Sequence, residues 1–363
     1  MYLEEITLTS RIADYKVIFS RTSDFLEKYM IDPNTVFIVD EKVWETHSEG
    51  LLKNLPKSEI ILIQTHEEMK TLESVQNLYD KIMERAPKRN MTMISIGGGI
   101  TQDITGFTAS TLYRGIKWVF VPTTLLAQAD SCVGSKTSIN YKKYKNLIGT
   151  FFPPQEIYIN TAFVSTLNDV DYFSGLGEVV KLHLLGGERS VSKLIQLLPS
   201  LIEKKDDALL AAIQDSLLIK QSYIESDEFD TGRRNMLNFG HCFGHAIESA
   251  TQFAIPHGQA VVLGMILANI VAVKRGLLSE TKYHYFNQVL FPIIKVNLED
   301  VSFKINEIVD AMRQDKKRTG KELALVMLID NYEAIKVNDL TTEEATNVLQ
   351  EFYEGNIMRR PFS

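Results

Sequence analysis

The sequence predicts an α/β protein in which a Rossmann-like domain built on a parallel sheet precedes a mainly α-helical domain. Two observations favour this fold class. Short apolar runs alternate with helical patterns in the first half, whereas long helical patterns follow one another after about residue 165. Because apolar runs between helices are typical of parallel strands covered on both faces, we assign residues 1–165 to the α/β domain and residues 166–363 to the helical one.

The individual elements follow from their residue patterns. Four apolar runs predict strands, at residues 36–39, 60–63, 91–96 and 118–121. Periodic apolar spacing predicts two helices between them, at residues 43–55 and 71–85. In the second half it predicts helices at residues 169–185, 190–203, 208–226, 241–251 and 259–275, and a short strand pair at 324–328 and 334–337.

Composition restricts the classes of function. The 363-residue chain has a formal net charge of −7 and no dominant basic stripe, which argues against nucleic acid as the main partner. Its two cysteines, Cys132 and Cys242, have no CxxC spacing, which excludes a disulfide framework and favours a reduced, cytoplasmic setting. No signal peptide is visible. The apolar stretch 260–273 is too short to cross a bilayer and predicts a buried core helix, so we expect no membrane partner.

Three consecutive glycines, Gly97 to Gly99, follow the third predicted strand. Glycines at this place let the backbone approach a pyrophosphate, and the start of the next helix offers free N–H groups and a positive dipole. The strict GxGxxG pattern fails, because Gln102 stands where the third glycine belongs. A tight strand-to-helix turn without a ligand is the alternative interpretation of this motif taken alone.

A polar segment from Asp130 to Thr137 lies in an apolar context and is followed by the basic run 141–146. A glycine with Lys, Ser and Thr close by indicates phosphate binding, although the pattern is not a Walker A sequence. A solvated basic loop explains the same residues equally well.

Three histidines of the helical half, His241, His245 and His257, come close together in sequence. The first two are spaced i, i+4, which places them on one helix face, as in zinc-binding pairs. No Glu lies between them in an HExxH pattern, which excludes that class of metalloprotease. A chance placement in the core or on the surface is the alternative.

Taken together, the motifs resemble the 3-dehydroquinate synthase family, within the larger group of sugar-phosphate cyclases. The likeness is dense over residues 97–181 and 220–265, with a weaker echo at 315–317. The strings that carry it are Gly97-Gly98-Gly99, Asp103-Ile104-Thr105-Gly106-Phe107, Tyr113-Arg114-Gly115, Val121-Pro122-Thr123-Thr124-Leu125-Leu126-Ala127-Gln128, Lys145-Asn146-Leu147-Ile148-Gly149, Gly177-Glu178-Val179-Val180-Lys181 and Asn238-Phe239-Gly240-His241.

The resemblance implies a divalent metal, Zn²⁺ or Co²⁺, on Glu178, His241 and His257, with His245 facing the substrate. This replaces the metal pair that spacing alone suggests. It implies NAD as the second cofactor, and the matching positions are Asp40, Lys70, Gly98, Gly99, Asp103, Thr123, Thr124 and Thr166. The positions that match substrate contacts are Lys136, Lys181, Lys220, Lys317, Asn146 and His245. Further matches are Arg114 and Lys145 for the phosphate, Arg234 and Asn238 for the carboxylate end, and Asp130 for a ring hydroxyl.

The reaction that the resemblance implies is a step of the shikimate pathway. It converts 3-deoxy-arabino-heptulosonate 7-phosphate into 3-dehydroquinate and phosphate, by transient oxidation with NAD, β-elimination, re-reduction and intramolecular aldol closure. The net reaction is that of a carbon–oxygen lyase. The resemblance also implies a homodimer, in which Arg114 serves the neighbouring subunit's site.

Three alternatives remain open. A sister cyclase of the inosose or valiolone type is favoured by departures from the family pattern at Ser135, Tyr144 and Leu182-His183. Its substrates lack a carboxylate, whereas Arg234 with Asn238 suits one. An NAD- and metal-dependent alcohol dehydrogenase would release NADH, and the many site lysines oppose it. A non-catalytic binding protein is opposed by the intact set of matched positions.

Overall fold

The computed structural model describes residues 3–142, 144–314 and 323–354. The chain divides into two compact units. The first comprises Met1–Asn168 with Leu209–Phe229, and the second comprises Asp169–Ala208 with the described residues from Asp230 onward. This grouping differs from the predicted division into 1–165 and 166–363, because residues 209–229 leave the helical region and pack with the α/β unit.

The strands of the first unit follow the expected α/β layout. They are β1 (Glu5–Leu8), β2 (Tyr15–Phe19), β3 (Thr35–Asp40), β4 (Ile60–Ile63), β5 (Thr92–Gly97), β6 (Lys117–Pro122), β7 (Lys136–Tyr141), β8 (Tyr144–Phe151) and β9 (Glu156–Ile159). Seven of them form one sheet in the order β1-β2-β9-β6-β5-β3-β4, in which only the β1–β2 pair is antiparallel. The four predicted strands are confirmed as β3 to β6.

Four helices of this unit lie between its strands in sequence, and a fifth comes from later in the chain. They are α1 (Glu27–Met30), α2 (Glu41–His47), α3 (Leu72–Met83), α4 (Gly99–Thr111) and most of α7 (Asp206–Ser226). The predicted helix 43–55 is wrong in its second half, because α2 ends at His47. Every residue of β3 is buried, as the apolar pattern of a central parallel strand requires. Strands β7 and β8 form a separate antiparallel hairpin that the sequence patterns did not predict.

Side chains of α7 explain why this helix groups with the first unit. Gln214 Nε2 donates to the carbonyl oxygen of Leu3 at 2.8 Å, and Gln221 Nε2 donates to that of Thr7 at 3.0 Å. Both acceptors belong to the segment that forms or precedes β1. The N-terminal hairpin therefore holds one face of α7.

The second unit is mainly helical, as predicted. Its helices are α5 (Asp169–Leu185), α6 (Glu188–Ile202), α8 (His241–Ala250), α9 (His257–Lys274), α10 (Glu280–Leu290), α11 (Ile305–Arg313) and α12 (Thr342–Glu354). A hairpin of β10 (Leu323–Leu328) and β11 (Ala334–Leu340) confirms the predicted strand pair. Among the described helices, only α9 is long and apolar enough to cross a membrane, and 83% of its apolar window is buried inside the protein, as the sequence predicted for a core helix.

Close helix contacts in the second unit depend on glycine. A Cβ at Gly258 would lie 1.8 Å from the carbonyl oxygen of Ser174 on α5, and one at Gly264 would lie 1.9 Å from that of Gly240. Gly240 itself has a φ of +80°, a left-handed conformation that favours glycine. Helices α5, α8 and α9 thus approach at backbone distance, which brings Glu178 in the middle of α5 close to His241 and His257 at the starts of α8 and α9.

Candidate functional site

Four of the predicted dinucleotide residues meet at the carboxyl ends of β5 and β6. Gly98 caps α4 without a side chain, and Gly99 is the first residue of that helix. The Thr123 N–H donates to the carbonyl oxygen of Gly97 at 3.0 Å, and a Cβ on Gly98 would lie 3.1 Å from Thr124 Cγ2. This edge of a parallel sheet, with a glycine-started helix, is where α/β proteins bind phosphate groups.

Two further predicted dinucleotide residues, Lys70 and Asp103, form a buried ion pair with 2.5 Å between Nζ and Oδ2. Lys70 also donates to Asn146 Oδ1 at 2.6 Å, and the Ser138 N–H donates to Asp103 Oδ1 at 2.7 Å. Burial raises the pKa of Asp103, although Lys70 and Ser138 oppose that shift. The structure thus joins Asn146, a predicted substrate residue, to two predicted dinucleotide residues.

The remaining two dinucleotide candidates have local structural partners. Asp40 ends β3 and caps α2, since its Oδ1 accepts from the Lys42 N–H at 2.9 Å, and its Oδ2 accepts from Thr65 Oγ1 at 2.6 Å. Thr166 is exposed, and its hydroxyl lies 3.0 Å from Nε2 of His47, the last residue of α2. These contacts stabilise the α2 region, and a role of either residue toward NAD stays a prediction.

Asp130 and Lys220 form a second buried ion pair in the first unit. Asp130 lies in a π-helical turn, Ala127–Ser131, and Lys220 lies on α7. Lys220 Nζ contacts Asp130 Oδ1 and donates to the carbonyl oxygen of Asp130 at 2.5 Å. The side chain of Lys220 is only 9% exposed, and that of Asp130 only 13%. Both side chains were predicted to contact the substrate, and no sequence pattern indicated that they pair.

The other predicted substrate residues of this unit lie on turns or on the β7–β8 hairpin. Lys136 begins β7, and Lys145 on β8 is partly exposed, 3.9 Å from Glu67 Oε1. Arg114 is exposed in a turn after α4, where its φ is +67°. Asn146 has a φ of +51°. Asn146 is a residue type that tolerates this region, whereas Arg is not, so the Arg114 turn carries backbone strain.

The second unit brings the predicted metal residues together. Glu178 on α5 is 2% exposed, and its Oε1 lies 3.8 Å from His241 Nε2 and 3.3 Å from His257 Nε2. One nitrogen from each of His241, His245 and His257 lies within 4.8 Å of the others. Lys181, one turn along α5, places Nζ 2.5 Å from Glu178 Oε2. A carboxylate and several imidazoles therefore converge on one point.

The surroundings of His241 and His257 shift their pKa values in opposite directions. Burial disfavours protonation of His257, but its contacts with Glu178 and Glu248 outweigh this and raise the pKa to about 9. Burial and the neighbouring Lys181 hold the pKa of His241 well below its usual value. The carboxylates that shift His257 mark a place where positive charge is favourable.

The donor set fits a divalent metal. Imidazole nitrogens with one carboxylate suit Zn²⁺ and Co²⁺, and Glu178 is too deeply buried to be solvated in place of an ion. The Nδ1 atom of His241 lies 3.2 Å from the Phe239 carbonyl oxygen, so its Nε2 is the atom directed at Glu178. The structure does not choose between His245 and the other two as ligands, so the predicted set of Glu178, His241 and His257 stays a prediction.

Arg234 and Asn238 lie on the 3₁₀ turn Arg233–Asn238 just before α8. Arg234 is 4% exposed. Asn238 Nδ2 donates to the Asn235 carbonyl oxygen at 3.0 Å. The guanidinium of Arg234 is therefore largely shielded from water, a setting in which Arg binds anions and acceptors through its planar fork. Lys317, the remaining predicted substrate residue, lies outside the described residues.

Sequence reasoning missed Glu248, whose Oε2 lies 3.1 Å from His257 Nδ1. A signal was present, because Glu248 follows His241 by seven residues and His245 by three, which puts the three side chains on one face of α8.

Comparison with known families identifies the chain. The 3-dehydroquinate synthase N-terminal family model matches residues 60–174, and the C-terminal model matches residues 175–318. The chain belongs to the 3-dehydroquinate synthase family. It is 41% identical to the 3-dehydroquinate synthase of Clostridium tetani over 70% of each chain. It is 33% identical to that of Campylobacter concisus over 96% of this chain and 99% of the relative. The family that the motifs predict is confirmed.

Two solved structures of sugar-phosphate cyclases share the fold of this family member. One is a 2-deoxy-scyllo-inosose synthase with carbaglucose-6-phosphate, NAD⁺ and Co²⁺, at a TM-score of 0.80 and 24% identity over 96% of this chain and 99% of that one. The other is a 2-epi-5-epi-valiolone synthase from Streptomyces hygroscopicus with NAD⁺ and Zn²⁺. It has a TM-score of 0.83 and 23% identity over 96% of this chain and 99% of that one. They confirm the predicted fold class of this 3-dehydroquinate synthase family enzyme.

Proposed function

We propose that this enzyme converts 3-deoxy-arabino-heptulosonate 7-phosphate into 3-dehydroquinate and phosphate, with NAD and a divalent metal as cofactors. The observation that carries the proposal is the buried Arg234 in the same unit as the Glu178, His241 and His257 set. A guanidinium in a desolvated setting suits a carboxylate, which this substrate carries and inosose-type substrates lack. The names of the two 3-dehydroquinate synthases described above support the same reaction.

The residues of the two units divide the cofactor binding in this proposal. The sheet edge at Gly98, Gly99 and Thr124 accepts the pyrophosphate of NAD, and Glu178, His241 and His257 hold the metal. When bound, NAD supplies a reversible hydride acceptor and the metal supplies a Lewis acid for substrate oxygens. The NAD and metal bound to the two cyclases of similar fold support this assignment.

The chain's own residues then orient the substrate and handle charge. Arg114 and Lys145 bind the phosphate, with Arg114 reaching the site of the partner subunit in a homodimer. Lys136, Lys181 and Asn146 bind substrate oxygens, and Lys220 holds Asp130 against a ring hydroxyl. His245 is exposed on α8, where an imidazole can accept or return a proton near neutral pH.

A phosphate-release assay tests the reaction class. The protein is incubated with the heptulosonate phosphate, a divalent metal and NAD well below the substrate concentration. We expect many equivalents of phosphate for each NAD and no accumulation of NADH, because the hydride returns to the substrate in each turnover. Stoichiometric NADH would instead place the enzyme among the dehydrogenases.

Arg234→Ala separates the proposed reaction from that of a sister cyclase. Leaving one partner of a buried charge pair unmatched costs about 2–5 kcal/mol, so kcat/KM on the carboxylate-bearing substrate should fall by roughly 30-fold or more. Arg234→Lys should recover only part of it, since an ammonium cannot reproduce the planar fork. If the wild type turns over only a carboxylate-free sugar phosphate, this proposal is wrong and the protein is a sister cyclase of the inosose or valiolone type.

A further inference from the structure

The two ring nitrogens of His257 face two different carboxylates. Nε2 lies 3.3 Å from Glu178 Oε1, and Nδ1 lies 3.1 Å from Glu248 Oε2. His257 is the first residue of α9, and Glu248 stands near the end of α8. Glu248 therefore contacts the nitrogen of the ring that does not face Glu178. The two carboxylates do not compete for the same nitrogen.

His241 shows the same division of its ring nitrogens with a different partner. Its Nε2 faces Glu178, and its Nδ1 lies 3.2 Å from the Phe239 carbonyl oxygen. In a neutral imidazole one nitrogen carries the proton and the other carries the lone pair. An acceptor at Nδ1 places the proton there and leaves the Nε2 lone pair directed at Glu178. The main chain supplies that acceptor for His241, whereas a side chain supplies it for His257.

From this arrangement we infer that Glu248 is a positioning residue, which holds His257 in the Nδ1–H tautomer and in the ring orientation needed to bind a divalent metal through Nε2. The inference rests on the proposed metal site and assigns Glu248 no contact with metal or substrate. The Glu248 side chain is 12% exposed, so its hydrogen bond to His257 is shielded from competing water. Partners of this kind orient metal-bound histidines and raise their basicity.

The test measures metal binding by the protein itself, without substrate. Co²⁺ affinity is determined by competition with a chelator, and the visible absorption of bound Co²⁺ reports its coordination. Removing such a partner lowers metal affinity by about 10–100-fold. We expect that loss for Glu248→Leu, which keeps the helix propensity at this position but accepts no hydrogen bond. Glu248→Gln retains an acceptor oxygen and should recover most of the affinity.

Two controls separate this role from others. Glu344→Gln alters another partly buried carboxylate of the same unit, which accepts a hydrogen bond from Arg275, and it should leave Co²⁺ affinity unchanged. Glu178→Ala removes a proposed ligand and should weaken binding more than any change at Glu248. The apo-protein melting temperature of each variant monitors folding, and Glu248→Ala replaces the Leu variant if that variant does not fold.

The outcomes are distinct. A 10–100-fold loss for the Leu or Ala variant, with recovery in the Gln variant and an altered Co²⁺ spectrum, supports the inference. Wild-type affinity and spectrum in Glu248→Leu or Glu248→Ala overturn it while leaving the proposed metal site intact. If Glu178→Ala binds Co²⁺ as the wild type does, the proposed metal site fails, and the role of Glu248 fails with it.

Discussion

The two units hold their charged site residues in different ways. In the first unit, each predicted site lysine with a buried side chain forms an ion pair with one carboxylate. Lys70 pairs with Asp103, and Lys220 pairs with Asp130. In the second unit, Glu178 faces Lys181 and two imidazoles at once. Among the described residues, the first arrangement balances its charges pair by pair, whereas the second gathers nitrogen donors around one carboxylate.

This difference shows what each region is suited to do. In a buried ion pair the lysine ammonium already neutralises the carboxylate. Such a carboxylate is not available as a ligand for a metal cation. A cluster of imidazoles with one carboxylate provides lone pairs in one place, which is the requirement for a metal centre. The comparison therefore favours the second unit over the first as the place of the proposed metal site.

Breaking the Lys220–Asp130 pair should have the largest effect on stability. Lys220→Met leaves the Asp130 carboxylate buried without its partner, which costs about 3–5 kcal/mol in the free energy of unfolding. Urea denaturation measures the change. Lys28→Met serves as the control in the same unit, because the Lys28–Glu156 pair is half exposed and should contribute about 1 kcal/mol or less. Equal losses in both variants would contradict the pairwise description of this unit.

The pH dependence of the metal-free protein tests the second unit. The pKa of His257 is about 9 in the folded state against 6.5 for the free side chain. Its stabilising contribution is therefore complete below pH 6.5 and is lost as the pH rises through 9. The lowered pKa of His241 has the opposite effect on stability, because protonation of this ring is disfavoured in the folded state. That effect is confined to pH values below 6.5, the pKa of the free side chain.

The expected result is a melting temperature of the chelator-treated protein that falls as the pH rises from 6.5 to 9. His257→Gln should flatten that slope, because the titrating group is gone. With metal present the dependence should reverse, since the ligand imidazoles bind only when deprotonated. A slope that survives in His257→Gln would show that another group causes it.

A substitution at Ser135 in the first unit should have the smallest effect on the free energy of unfolding. Its φ of +63° is left-handed, and its buried hydroxyl has no hydrogen-bond partner among the described residues. The left-handed backbone costs a non-glycine residue about 1–2 kcal/mol, so Ser135→Gly should stabilise the protein by about 1 kcal/mol after the greater freedom of the unfolded chain is included.

Ser135→Ala is the matched control, because it removes the hydroxyl and keeps the Cβ. A gain in the Gly variant that the Ala variant shares would trace the cost to the hydroxyl and not to the backbone. Ser135 stands where the family pattern has glycine, so this measurement also shows what that departure costs the fold.

Several predictions came from local patterns and hold in the structure. The apolar runs of β3, β5 and β6 and the helix α9 were recognisable because nearly complete burial leaves a continuous apolar segment. The run of β4 is equally apolar, although only Ile61 is buried. Strands β1, β2 and β9 were missed, since they have only four or five residues, β1 and β2 lack a continuous buried run, and β2 pairs with a strand far along the chain. Helix α2 is shorter than predicted, because the periodic spacing continues past His47 while the helix does not.

The sequence by itself determined the family, the central strands and the residue types of the candidate sites, because motif strings and periodicity are local properties of the chain. Only the tertiary structure decided which side chains meet. Lys220 and Asp130 are 90 residues apart, and the pair joins because α7 packs with the first unit. Glu248 reaches His257 because glycines let α8 and α9 approach at backbone distance. Such meetings depend on how distant elements pack, which no local pattern encodes.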